Sequence, residues 1–132
     1  MTLESAKAYF MKDQYAMKTS GIEILETGDR TAKCRMKLDE RHMNAIGQVM
    51  GGAVFTLADF TFAVATNNEE IATVTVTSQI SYLSIAKGTV LYSDAKILKD
   101  GKRSCFYEIE ITDDLGTKVA VISTNGMHLP KK

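Results

Sequence analysis

The 132-residue sequence predicts an α+β fold in which an antiparallel sheet wraps around one long central helix, with a short N-terminal helix ahead of it. Three observations predict it. The segment that opens at Gly51-Gly52 is apolar around most of a helical circumference, so protein must surround it on most sides. From Ile71 onward nearly every segment has the two-residue period of a strand and is bounded by a short turn. Near the N-terminus, Leu3, Ala6, Tyr9, Phe10 and Met11 recur at helical spacing behind Thr2. The length suits one domain over residues 1–132, with room for a substantial core but not for two.

Each element follows from local chemistry. Thr2 is a favourable N-cap, with Glu4 and Ser5 in the first turn behind it. Thr19-Ser20-Gly21 breaks the helical pattern. A strand then runs from Ile22 to Gly28-Asp29, with Ile22, Ile24 and Glu26 alternating with Glu23, Leu25 and Thr27, and Arg30 to Leu38 returns as its partner. In the central helix, Val54, Leu57, Ala58, Thr61 and Ala65 form one stripe and Phe55, Asp59 and Phe62 an adjoining one, with Asn67-Asn68 as the stop. Between Thr73 and Leu83, alternation assigns Val74, Val76, Ile80 and Tyr82 to one face and Thr75, Thr77, Gln79 and Ser81 to the other. Gly88 to Lys99 is the next strand, and Asp100-Gly101 is a two-residue type I′ hairpin signal leading into Ser104 to Thr112. Asp113-Asp114-Leu115-Gly116 turns the chain into a last strand, Lys118 to Met127, before Pro130 and a lysine tail. The polar threonine–glutamine face must meet water or another subunit, and edge strands pair readily, so dimerisation through the sheet is expected.

Composition narrows the function. Sixteen basic and sixteen acidic residues cancel, so no general attraction to nucleic acid or to an anionic membrane is expected. A chain so near neutrality is poorly protected against association, which agrees with an oligomer. Cys34 and Cys105 fall in strand-like segments without CxxC spacing and are expected to be buried, reduced thiols. His42 and His128 are too few for a typical zinc site, so no metal is expected. No leader pattern and no apolar stretch long enough to span a bilayer is present, which predicts a cytoplasmic protein. Gly47 with Gly51-Gly52 lacks the following Lys-Ser or Lys-Thr and the parallel βαβ setting of a phosphate loop.

The segment from His42 to Asp59 carries the chemistry. An amide, a glycine pair and one carboxylate sit in an otherwise apolar run, and charged groups seldom enter such runs without a partner or a task. A glycine pair at a helix start exposes unpaired N–H groups where the helix dipole is positive, a setting that suits a developing oxyanion. Gly51, lacking a Cβ, also allows a substrate to approach the backbone closely. Asp59, flanked by Phe55, Phe62 and alanines, is expected to have its pKa pushed up by burial, toward a better base.

The pattern His42-x-Asn44-x-x-Gly47-x-x-Met50-Gly51-Gly52, followed by Leu57-Ala58-Asp59 and later by Tyr82-Leu83-Ser84-Ile85-Ala86-Lys87-Gly88, resembles the signature of hotdog-fold acyl-CoA thioesterases of the phenylacetate-degradation type. The order of elements matches along nearly the whole chain. The resemblance implies hydrolysis of an acyl-CoA to free acid and coenzyme A, with no cofactor beyond the coenzyme A of the substrate itself. It implies that Asn44 and the Gly51 N–H polarise the thioester carbonyl, that Asp59 is general base or nucleophile, and that Thr75 helps hold the water. Gly52, His42, Met50 and Phe55 would line the substrate site, and Lys87, Lys99, Lys102 and Arg103 are candidates by charge for the coenzyme A phosphates. The family's sites lie at a dimer interface, Asn44 and Gly51 from one subunit facing Asp59 and Thr75 from the other, and a dimer of dimers is common. Two positions depart from the family pattern: Met50 stands where a histidine is usual and Ile85 where a proline is common. The first removes a titratable group beside the site.

Plainer readings stand beside these. Asp59 can cap a helix that begins only at Phe60, Asn44 can hold a turn through its side chain, and His42 can be a structural hydrogen-bonding residue. Met43, Met50, Phe55, Phe62 and Tyr82 can be acyl-pocket lining or ordinary packing. The functional rivals are a non-catalytic acyl-CoA-binding or sensing module, and a dehydratase of the same fold, which normally needs a histidine paired with an acid.

Overall fold

The computed structural model describes residues 1–130. Six strands, β1 (Ile22–Gly28), β2 (Thr31–Lys37), β3 (Ala72–Tyr82), β4 (Val90–Asp100), β5 (Ser104–Asp113) and β6 (Lys118–Leu129), form one sheet in the order β1-β2-β4-β5-β6-β3, every neighbour antiparallel. The helix α2 (Gly51–Thr66) packs chiefly on β2, β4 and β5, so the sheet curls around it. The short helix α1 (Leu3–Phe10) starts where Thr2 Oγ1 accepts the Ser5 N–H at 3.1 Å. Together with a π-helical turn at Gln14–Thr19, it covers β1, leaving β3 as the bare edge of the sheet.

The predicted stripe of α2 is the core stripe: Val54, Leu57, Ala58, Thr61 and Ala65 are all buried, as are Phe60 and Phe62. Phe62 meets the Tyr107 ring edge-on at 5.4 Å, and Phe10 of α1 meets Phe60 edge-on at 5.7 Å, tying α1 and the sheet to α2. Burying a side chain such as Leu57 contributes about 1.5–3 kcal/mol. Thr61, polar and fully buried, is satisfied by the Leu57 carbonyl at 2.7 Å and by the Ser93 hydroxyl. Asn67 ends the helix: its N–H and its side-chain amide both donate to Ala63 O at 3.0 Å, while its Oδ1 accepts the Thr73 N–H at 2.8 Å. Cys34 and Cys105 are buried free thiols.

Three local expectations are corrected. The alternation expected for β3 breaks at Val76, where a bulge sets two residues of β3 against one of β6. Val74 pairs with Met127 on the outer face, whereas Thr75 pairs with Gly126 and turns toward α2 with Ile80 and Tyr82. Between β4 and β5, Asp100 pairs with Cys105, and the Gly101 N–H donates to Ser104 O at 2.7 Å. The connection is therefore longer than the two-residue type I′ hairpin, and Gly101 is not among the residues with positive φ. Finally, β4 starts at Val90 rather than Gly88, because the Gly88 N–H is bound by a carboxylate of the facing turn instead of by a strand.

Candidate active site

The approach to α2 is a braced loop. His42 ends a 3₁₀ turn, Glu40–His42, capped by Asp39, and is only 4% exposed. Its Nδ1 accepts the Asp39 N–H at 3.0 Å, and its Nε2–H donates to Ser20 O at 2.7 Å. Both ring nitrogens are thus consumed by scaffold, which is the structural hydrogen-bonding role the sequence also allowed. Its contribution is through the backbone, where His42 O receives the Met50 N–H at 2.8 Å. Asn44 opens an exposed loop and uses Oδ1 to accept the N–H groups of Ile46 and Gln48, both at 3.1 Å. The turn-holding reading of Asn44 is therefore correct. With Oδ1 committed to the loop, the Nδ2 amide hydrogens are the side that remains to donate.

Met50 is the N-cap of α2 and makes no side-chain capping bond. The first intrahelical bonds run from Ala53 and Val54 to Met50 O, at 3.0 and 3.3 Å, and the N–H groups of Gly51 and Gly52 have no acceptor among the described residues. A helix N-terminus left in this state presents donors and partial positive charge to an anion. Gly51 is a glycine for a reason the sequence did not suggest. A Cβ there would lie 2.9 Å from Tyr82 Oη and 3.0 Å from Cζ, so the space beside its Cα belongs to Tyr82 rather than to a substrate. The same phenol donates to Gly51 O at 2.8 Å. Beside this contact lies a cavity of about 370 Å³ whose walls include Val49, Val54, Tyr82, Leu83, Ile85 and Val119.

Asp59 lies two turns further along α2, within a continuous helix, so it does not act as an N-cap at Phe60. Burial pushes its pKa above the ordinary carboxylate value of 3.8, the Thr75 hydroxyl beside it opposes the rise, and the charge of Asp13 adds to it. The direction is the one expected from its neighbours. Asp59 and Thr75 nonetheless remain open to solvent on the uncovered side of the chain, next to the bare edge of β3, and Phe55 is half-buried one turn before Asp59. At about 1.5 Å of rise per residue, the eight positions from Gly51 to Asp59 separate them by about 12 Å along the helix. The structure thus joins Thr75 to Asp59 and holds Asn44 in the loop leading to Gly51, but keeps the two pairs apart within one chain.

The segment Leu83–Ala86, one wall of the cavity, is fixed from both ends. Leu83 and Ser84 donate to Val119 O at 2.8 and 3.3 Å. Beyond them, Asp113 Oδ2 accepts the N–H groups of Lys87 and Gly88 at 2.8 and 3.0 Å, while its Oδ1 takes those of Leu115 and Thr117. Asp114 Oδ1 accepts Thr89 and Val90. Asp113 and Asp114 are turn residues by sequence, and their hold on the Lys87–Val90 backbone, some 25 residues away, leaves no local signal.

Among the candidate phosphate ligands, Lys87 stands at the Gly51 end of the sheet. Lys102 and Arg103 stand at the other, where Arg103 O accepts the His128 N–H beside Thr73. The nine steps of β3 between Thr73 and Tyr82 span about 30 Å, so one chain does not gather these cations on one site. At that far end, Asp100, Cys105 and His128 place metal-ligand atoms within 4.8 Å of one another. Two of the three are engaged otherwise: Asp100 pairs with Arg30, and His128 bonds to Asp100 and to Thr73. No described helix is long and apolar enough to cross a membrane.

Residues 46–120 match the thioesterase superfamily. The chain is 34% identical over 111 residues to human acyl-coenzyme A thioesterase 13, covering 82% of this chain and 79% of the relative. It is 30% identical over 119 residues to acyl-coenzyme A thioesterase PaaI of Escherichia coli, covering 89% and 84%. The structure of the E. coli PaaI protein from the phenylacetic acid degradation operon superposes with a TM-score of 0.87 at 25% identity, over 100% of this chain and 99% of that one. With its helix wrapped by an antiparallel sheet and its uncapped glycine pair at the helix start, the chain belongs to the thioesterase superfamily, as a hotdog-fold member of the PaaI type.

Proposed function

We propose that the protein hydrolyses an acyl-CoA to the free acid and coenzyme A, and that it does so as a homodimer whose two sites are each shared between chains. The single observation that carries this reading is the pairing, on one helix, of an uncapped N-terminus with a carboxylate of raised pKa beside a hydroxyl. The first can accept a growing oxyanion and the second can take a proton at neutral pH. About 12 Å apart in one chain, they serve one carbonyl only when a second copy supplies the missing half. The bare edge of β3, eleven residues long with Val74 and Val76 46% and 56% exposed, is the surface that pairs with that copy. Two such dimers would assemble back to back as a dimer of dimers.

In the shared site, Asn44 Nδ2 and the Gly51 N–H of one protomer donate to the thioester oxygen. Asp59 of the other takes a proton from the water that Thr75 helps to hold, and the water oxygen attacks the carbonyl carbon. The C–O bond forms as the C=O π pair moves onto the oxygen at Asn44 and Gly51. When that pair returns, the C–S bond breaks and the proton on Asp59 passes to the departing thiolate. Direct attack by the Asp59 carboxylate is the alternative for the first step, and a single turnover in labelled water separates the two by where the label first appears. Gly52, Met50 and Phe55 would contact the acyl thioester. Antiparallel pairing of β3 across the two-fold brings Lys102 and Arg103 of the partner subunit toward the end where Lys87 stands, which suits an anionic coenzyme A tail. Thiol release from aromatic, short-chain and long-chain acyl-CoAs tests the reading. Steady turnover abolished in Asp59→Ala supports it, and saturable binding without turnover contradicts it.

A further inference from the structure

We propose that Tyr82 is the positioning residue of the oxyanion cradle and that its ring sets which acyl groups the neighbouring cavity accepts. The inference rests on the thioesterase reading of the site and adds a residue to it. The phenol donates to Gly51 O at 2.8 Å, and the ring lies so close to the Gly51 Cα that any side chain there would collide with it. The C=O and N–H of a trans peptide point in opposite directions, so a donor fixed on Gly51 O keeps the Gly52 N–H aimed out of the helix start. The Gly51 N–H belongs to the preceding peptide, which is oriented by the bonds that Ala53 and Val54 donate to Met50 O. Met50 provides no side-chain cap, and among the described residues Tyr82 is the side chain that bonds to the Gly51–Gly52 peptide. Polarisation of the Gly51–Gly52 peptide by the phenol also strengthens the Gly52 N–H as a donor.

The ring has a second face. It lines the cavity of about 370 Å³ together with Val49, Val54, Leu83 and Ile85, so it stands between the cradle and an apolar space. A thioester whose oxygen reached Gly51 would lay its flank against this ring. Tyr82 is half-exposed on β3, with Ala120 opposite it on β6, and its backbone is held in the sheet whatever its side chain does.

Three variants and one spectroscopic readout test this. Tyr82→Phe keeps the ring and loses the hydroxyl; kcat is expected to fall about tenfold for every acyl group with KM nearly unchanged. Tyr82→Ala removes the wall as well, and the order of preference among acyl lengths changes. Gly51→Ala retains the N–H but pushes on the ring, and the double variant Gly51→Ala/Tyr82→Ala is no slower than Tyr82→Ala alone, because the collision has gone. In protein labelled with ¹⁵N-glycine, Tyr82→Phe shifts the Gly51 and Gly52 amide signals while the distant glycines keep theirs. Multiplying effects of Gly51→Ala and Tyr82→Ala, or unmoved Gly51 and Gly52 amides in Tyr82→Phe, overturn the proposal. A wild-type protein that releases no thiol from any acyl-CoA overturns the thioesterase reading instead, and the amide signals still judge Tyr82 in that event.

Discussion

The Thr75 hydroxyl stands beside the Asp59 carboxylate and favours its charged form, linking the edge strand of the sheet to the middle of the central helix. The bulge at Val76 lets Thr75 share the helix face with Ser78, Ile80 and Tyr82. Without that extra residue, β3 would keep strict alternation, and a Thr75 set opposite Gly126 would put Thr77, rather than Ser78, on the helix face.

Removing the hydroxyl has a signed consequence. Thr75 favours the ionised form of Asp59 and so lowers a pKa that burial has raised. In Thr75→Ala the acid limb of the kcat/KM profile is expected to move to higher pH, with a loss of about tenfold on the plateau, and Thr75→Ser restores both. A pH profile measured on the three proteins checks this.

Asp59 itself should be a stability liability. Its folded pKa is raised, so its contribution favours the folded state below the unfolded value of 3.8 and is lost as pH rises through the folded one. At neutral pH the ionised form is therefore unfavourable to folding. Asp59→Asn is expected to raise the thermal midpoint while cutting thiol release by at least about a hundredfold. Thermal unfolding at pH 7 and at pH 4, where the gain over wild type shrinks, is the measurement.

Much of this was legible in the residues. The stripe Val54, Leu57, Ala58, Thr61, Ala65 identifies α2 because a buried helix repeats its apolar contacts every three to four positions, and that period is written in the sequence. Thr2 and Asn67 mark helix ends through bonds made within a few residues. What was not legible depends on distant partners. The β3 bulge is decided by pairing with β6, some fifty residues on, and the π-helical turn at Gln14–Thr19 has no distinctive period of its own. Asp100-Gly101 carries the composition of a tight hairpin, yet Asp100 is drawn to Arg30 and His128, and the turn opens. Within the site, Asn44, Gly51 and Asp59 stand out by type and spacing. The capture of His42 by Asp39 and Ser20, and the crowding of Gly51 by Tyr82, are visible only in three dimensions.

The wall of the cavity should fail in acid. Asp113 is only 4% exposed, and although burial pushes its pKa up, the N–H groups of Lys87, Thr117 and Gly88 outweigh it and hold the carboxyl far below 3.8. The stability from this carboxylate is present above the unfolded value and is lost as pH falls through the folded one. Asp113→Asn faces the same donors with an amide and is expected to cost about 2–3 kcal/mol in urea unfolding at pH 7. Gly88→Ala should be as harmful, since its Cβ would lie 1.8 Å from Asp114 Oδ1.

Met50 leaves the helix start uncapped, and a capping side chain should trade activity for stability. Met50→Ser supplies an oxygen for the Gly52 or Ala53 N–H and is expected to stabilise by about 1 kcal/mol. Met50→Asp adds a negative charge where the oxyanion forms. Turnover should fall in both variants, further in Met50→Asp, while the thermal midpoint rises; kinetics and calorimetry on the same samples decide.

The central claim is that the two halves of one helix serve different sites, each completed by the other copy of the chain. The direct test mixes Asp59→Ala subunits with Asn44→Ala subunits, each inactive alone, after reversible dissociation. A heterodimer holds one intact site and one doubly broken site, so an equal mixture should recover about a quarter of wild-type thiol release. A mixture no more active than either parent, with heterodimers present by mass spectrometry, contradicts the shared site.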